Sequence, residues 1–233
     1  MLKSIIYTIC LLVLLNCGLQ AQSGSHANGV QITGMAQLGL PQNDFAEAYT
    51  GNPSGFAGSI MFPVGKAKML HFGGEYGWSS MGKEKTQVEI VKAPEEILAG
   101  DMSVSSDVKS YHANMRFSPL KGPFRVYFDL LFGMKVYSTD TEIVFEEANG
   151  SEVQTTSNLN NENTNFVGFA GGMMLAVSRN FFIDAKLQSL QGGEVKYVDQ
   201  SNLGIAVNGD VDYSLKTTAT DLLVPQVGLS IVF

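Results

Sequence analysis

Cysteine is almost absent. The chain of 233 residues has two, Cys10 and Cys17, and both fall in an N-terminal stretch with the pattern of a secretory leader. Lys3 supplies the positive end, residues 5–15 the apolar core, and Gly18-Leu19-Gln20-Ala21 a small residue at the cut. Residues 1–21 are therefore expected to be a signal peptide, and residues 22–233 the mature domain. Lipid attachment at Cys17 is the competing reading, but Asn16 is bulkier than such cleavage usually accepts. A mature domain without cysteine excludes a disulfide framework, a thiolate metal site and a cysteine nucleophile together.

Long apolar runs are missing too. Beyond the leader no stretch approaches the about 20 residues that a membrane helix needs. Positive charge is short: 15 Lys and Arg stand against 22 Asp and Glu, for a net charge of -7. That balance excludes nucleic acid as a partner, because phosphate binding needs clustered cations. Catalytic signatures are absent as well, with neither a Gly-x-Ser-x-Gly elbow nor a phosphate loop. Histidine is limited to His26, His71 and His112. His71 and Glu75 lie about 13 Å apart along a strand, too far for one metal. No cofactor and no metal are expected, and the chain is expected not to be an enzyme.

What the chain has is glycine, 25 residues, and many short segments alternating with period two, the signature of strands. Eight are expected at roughly residues 30–40, 55–63, 69–79, 107–118, 123–137, 165–177, 180–190 and 220–233. Three connections are short and built from Pro, Gly and Asn, which supply turn geometry. Four are long and polar: residues 41–54, 80–106, 138–164 and 191–219. Short and long alternate, as inner turns and outer loops do in a bacterial outer-membrane barrel. The expected fold is all-β, an eight-stranded antiparallel up-and-down transmembrane β-barrel.

The faces of the strands supply the candidate residues. In the segment 123–137 one face carries Val126, Phe128, Leu130 and Phe132, and the other Arg125, Tyr127, Asp129 and Lys135. Other segments set Ile183 and Leu187 against Asp184 and Lys186, Phe72 and Tyr76 against His71 and Glu75, and Tyr111 and Met115 against His112 and Arg116. A basic residue turned to lipid near the midplane costs about 2–4 kcal/mol. The polar faces are therefore expected inside, where Arg116, Arg125, Lys135 and Lys186 can pair with Glu75, Asp129 and Asp184. Val126, Phe128, Leu130, Phe132, Ile183, Leu187, Leu229 and Ile231 are expected to meet lipid. Aromatics near strand ends, among them Tyr76, Trp78, Tyr137, Phe117, Phe124, Phe181 and Phe182, are expected to form interfacial girdles. Pro225 is a misfit in the last strand, since it lacks a ladder donor and belongs at a bulge or rim.

The chain ends Val227-Gly228-Leu229-Ser230-Ile231-Val232-Phe233, an alternating strand that stops at an aromatic residue. Together with Leu19-Gln20-Ala21-Gln22, Leu38-Gly39-Leu40-Pro41-Gln42-Asn43-Asp44-Phe45, Phe72-Gly73-Gly74-Glu75-Tyr76-Gly77 and residues 124–132, it resembles the small outer-membrane β-barrel proteins of Bacteroidetes. These are akin in architecture to the OmpX and OmpA-barrel type. The resemblance implies that Phe233 is a C-terminal assembly signal read by the barrel-insertion machinery.

The expected function is a non-enzymatic surface or structural role through four extracellular loops, in the bacterial outer membrane. Expected partners are outer-membrane lipid and lipopolysaccharide, the assembly machinery during insertion, and a protein at the loops. One loop concentrates Asp140, Glu142, Glu146, Glu147, Glu152 and Glu162 without a cation. Another holds Val88-Glu89-Ile90-Val91, which is expected either to offer a sheet edge above the membrane or to pair within its own hairpin. The alternatives are a narrow transport or secretion component, a lipid-modifying enzyme and a soluble lipocalin-like binder.

Overall fold

A computed structural model describes residues 29–49, 51–92, 96–146, 152–198, 204–205, 211–212 and 215–233. Residues 1–28, with the expected leader, Cys10, Cys17 and His26, lie outside the described residues, as does Glu147.

Eight long strands form the wall: β1 (Gln31–Leu38), β2 (Ser54–Val64), β3 (Leu70–Lys92), β4 (Glu96–Phe117), β5 (Phe124–Glu146), β6 (Glu152–Ala176), β7 (Phe181–Gly192) and β8 (Leu222–Val232). Each pairs antiparallel with the next, and β1 also pairs with β8, from Gln31↔Val232 to Gln37↔Gln226. The sheet is thereby a closed eight-stranded up-and-down barrel. Closure leaves the wall without an edge, so its backbone donors and acceptors are satisfied along the ladder.

Three connections expected as loops are strand for much of their length, the last through Glu194–Val198 paired antiparallel with Leu215–Ala219. β3 and β4 stay paired out to Lys92↔Glu96, β5 and β6 out to Glu146↔Glu152, and β4 and β5 to Gly100↔Phe145. The Val88 to Val91 stretch pairs within its own hairpin, Val88 against Gly100 and Val91 against Ile97. The result is a four-stranded sheet rising above the barrel wall. Two bulges mark the transition, at Ser80/Gly82 and Thr139/Asp140. Gly82 holds φ +127, a conformation that only glycine adopts without strain.

Pro225 pairs in register with Leu187 of β7. On its other side it falls between the end of the β1 ladder at Gln226 and the short segment Leu40–Pro41, which pairs with Leu222 and Leu223. The missing donor thus coincides with a break in the partner strand. Gly172 answers a different demand: the Tyr127 ring occupies the space a Cβ would take.

The first outer connection holds the one described helix, α1 (Asn43–Ala48). It folds over the mouth and fixes the shape of the interior below.

Candidate functional site

Parity sends every second side chain of each strand into a space just wide enough for side chains. The interior so formed has two polar layers and an apolar cap.

In the layer nearest the inner turns, Arg116 of β4 forms a two-pronged bond to Asp129 of β5, at 2.7 and 2.8 Å. Its remaining nitrogen donates to Gln31 Oε1 at 3.1 Å, and the guanidinium lies 3.5 Å over the Tyr127 ring. Arg116 is 1 % exposed and Asp129 0 %. Two planar forks fit each other, which makes this the strong form of a charged hydrogen bond. Asp184 of β7 takes the Tyr127 hydroxyl at 2.6 Å and the Ser230 hydroxyl at 3.0 Å. Its neighbours among these bonds are neutral.

The middle layer is organised by one carboxylate. Glu75 of β3 pairs with the Lys186 ammonium of β7. It also accepts from Gln188 at 2.9 Å, Gln226 at 3.1 Å and Asn114 at 3.4 Å, with His112 Nε2 3.5 Å away. Glu75 therefore ties β3 to β4, β7 and β8 across the lumen. A buried charge is tolerated when it is paired and its other lone pairs are filled, and this one is.

The seven candidate lumen residues divide accordingly. Arg116 meets Asp129, Lys186 meets Glu75, and Asp184 meets hydroxyls. Arg125 sits toward the inner end, where Nε donates to the Gly122 carbonyl at 3.1 Å and the guanidinium lies 4.4 Å from the Phe182 ring. Lys135 is highest, donating to the Thr220 carbonyl at 2.7 Å and lying 5.3 Å from the Phe166 ring.

Above Lys135 an apolar cluster forms around the helix. Phe45 of α1 is buried and packs with Val108, Leu131, Tyr137, Phe166, Leu190 and Leu222. Its ring stacks on Tyr49 at 5.8 Å and meets Tyr137 edge-on at 6.5 Å. Asp221 ties the helix down: its carbonyl accepts from Gln42 N at 3.0 Å, and its carboxylate from Asn43 Nδ2 at 2.8 Å and Gly192 N at 3.3 Å. The Tyr49 hydroxyl donates to the Met81 carbonyl, and burial pushes that phenol above its ordinary value. Sequence reasoning missed this cap. The one available signal was an aromatic residue in an otherwise small and polar segment. Two girdle assignments also need correction, for Tyr137 and Phe182 are 5 % and 0 % exposed and point inward. Tyr137 shares the parity of Lys135, and Phe182 must face away from its neighbour Phe181.

The outside carries the opposite chemistry. Val126, Phe128, Phe132, Leu187 and Leu229 are exposed, Leu229 by 60 %, and Leu130, Ile183 and Ile231 lie half-buried on the same face. From Phe124 to Val136 the outward positions of β5 cover about 40 Å of strand, or about 30 Å of height at a tilt near 40°. Above Val136 the outward face changes to Ser138, Asp140 and Glu142, and Lys83 stands 3.6 Å from Glu142. Phe56 with Trp78, at 5.3 Å, and Tyr76 with Tyr111, at 5.2 Å, lie just below that change. Phe117, Phe124 and Phe181 are exposed at the other end. Among the described residues no group of His, Cys, Asp and Glu is arranged to hold a metal ion.

No protein-family model matches the chain, and no curated protein matches it. Among solved structures it is similar to Neisserial surface protein A, at 15% identity and a TM-score of 0.43, over 91% of this chain and 100% of that one. It is also similar to a major outer membrane protein from Thermus thermophilus, at 11% identity and a TM-score of 0.47, over 87% and 98%. A third is Ail, the attachment invasion locus protein of Yersinia pestis, at 13% identity and a TM-score of 0.40, over 89% and 99%.

Proposed function

We propose that the mature chain is an integral barrel of a bacterial outer membrane, of the small OmpX-like and OmpA-barrel-like kind its sequence resembles, exported behind a cleaved leader. One observation carries this reading: the barrel is inside out. Large apolar side chains surround it, including Phe56, Phe128, Phe132, Phe169 and Leu229, while Asp129, Asp184, Arg116 and Lys186 are buried. A water-soluble monomer rarely leaves an apolar patch beyond a few hundred Å² uncovered. A hydrocarbon layer about 25 Å tall, edged by aromatics, covers such a band.

The role that fits is non-enzymatic contact at the cell surface. The rising sheet of β3 to β6 has backbone edges that the barrel does not use. β2 pairs with β3 only as far as Ser80, and β7 reaches β6 only from Phe166. Among the described residues no further strand pairs with the outer side of β3 above Ser80. Such an edge is able to accept an extended segment of a partner protein. Lipid and lipopolysaccharide are the surroundings of the band, and Phe233 is the signal for the assembly machinery. A transport role fits less well, because paired charges fill the lumen and α1 covers its mouth.

Fractionation of cells expressing the full chain tests the reading. Recovery in the outer membrane is expected, with a folded form that migrates apart from the boiled form in gels. Recovery in the soluble periplasm would overturn it. Large stable conductance in planar bilayers would overturn the closed lumen.

A further inference from the structure

The space under α1 combines three features that the surface role does not use. A cavity of about 30 Å³ lies there, lined on one side by Lys135, Ser110 and Gln188 and on the other by Val108, Leu222 and Val224, with Phe45 against it. A water needs about 10–15 Å³ of such space, so the cavity as it stands is small. It grows by the volume of a benzyl group if Phe45 leaves. Lys135 is 1 % exposed, and its ammonium donates to a single neutral oxygen, the Thr220 carbonyl. Among the described residues no carboxylate lies within salt-bridge reach of it, and Asp221 acts on it only at longer range. The charges deeper in the lumen have better partners: Arg116 has Asp129, Glu75 has Lys186, and Asp184 has two hydroxyls.

We propose that the outer third of the lumen is a binding site for a small monocarboxylate with an aryl or short alkyl tail, and that the Phe45 side chain is its displaceable internal occupant. The chemistry of the walls selects this class. An ammonium with two further donors supplies the partner for a carboxylate. The apolar ring of Val108, Leu190, Leu222 and Val224 supplies the partner for a tail, and Phe45 already shows that an aromatic ring fits there. The occupant is held lightly. α1 has six residues, and Gln42 provides no side-chain cap to it. The anchors are the Asp221 contacts and the Tyr49 bond to Met81. Binding here depends on the interior alone and is independent of the solvent around the outer face.

The test uses the full mature chain in a non-ionic detergent and a water-soluble probe, 3-phenylpropanoate, against its amide. In Phe45→Ala the acid is expected to bind about tenfold more tightly than the amide, the scale of one charged hydrogen bond. The preference should vanish when Lys135→Met is added. Lys135→Gln, which keeps a donor for the Thr220 carbonyl, serves if the methionine variant does not fold. In the unsubstituted chain, saturating probe should speed amide exchange across residues 43–49. Equal binding of acid and amide, a preference that survives loss of Lys135, or unchanged exchange in the unsubstituted chain would each overturn the proposal.

Discussion

Replacing Asp129 by Ala removes one half of the Arg116 fork and leaves the other in place. Arg116 is 1 % exposed and would keep Gln31, at 3.1 Å, the Tyr127 ring and the longer-range charge of Asp184. Two bonds of 2.7 and 2.8 Å disappear. The loss is dominated by the stranded guanidinium, whose burial without a partner costs about 3–5 kcal/mol. Replacing both members, Arg116→Met with Asp129→Leu, removes the stranded charge as well. That double variant should lie within about 1–2 kcal/mol of the parent, and the cycle closed by the single variants Arg116→Met and Asp129→Leu should show strong coupling. Urea unfolding of the refolded protein in phospholipid vesicles, followed by the split between folded and boiled gel forms, measures both. A loss below about 1 kcal/mol for Asp129→Ala would mean that Arg116 reaches water when unpaired. The lumen would then be a hydrated channel, and the account of a filled interior would fail.

Phe128→Arg turns a cation outward within the apolar band and should cost about 2–4 kcal/mol of folding in vesicles, whereas Ser138→Arg, above the band, should cost less than about 1 kcal/mol. Equal effects would misplace the membrane. Tyr49→Phe deletes the bond to the Met81 carbonyl and should raise amide exchange in α1. The Tyr49 phenol is raised above its ordinary value of 10.0 by burial, so the folded state holds that proton more tightly. The anchor is complete below that pH and is lost as pH climbs through the folded value. Protection factors of residues 43–49, with base-catalysed intrinsic exchange divided out, should therefore fall in alkali in the parent and remain flat in Tyr49→Phe. Removing Phe233 should slow insertion in cells while leaving refolding in detergent intact; normal insertion rates would remove its role as a signal.

The barrel strands were legible because the two sides of one wall carry opposite chemistry. The outside is apolar, a narrow interior demands compact polar groups, and a period of two results that any window of β5 displays. The seven candidate lumen residues follow from the same parity. The rising hairpins were not legible, because above the band the outward face turns polar and long stretches lose their apolar alternation. Runs such as Gln154-Thr155-Thr156-Ser157-Asn158 have strand backbone without apolar alternation, and composition alone reads them as loop. The bulges at Ser80/Gly82 and Thr139/Asp140 compound this by resetting the parity. Tyr137 was assigned by its position near a strand end and not by its parity, and Phe182 by its neighbour. Phe45 lies in six residues of helix with no periodic pattern long enough to reveal a face. Its burial is a tertiary event, decided by the hole at the mouth.

The two ends of the wall meet. Phe233 N donates to the Val30 carbonyl at 3.0 Å, and Val232 N to the Asn180 carbonyl at 2.9 Å. Because the first and last strands are neighbours and their ends share a rim, a linker of a few residues would join them without bending either. Cutting the covalent cycle at a hairpin tip on the opposite rim would then yield a chain with the same ladder and both new ends displayed together on the far side. Such a rewired molecule offers paired attachment points for cargo, which the native order of strands withholds.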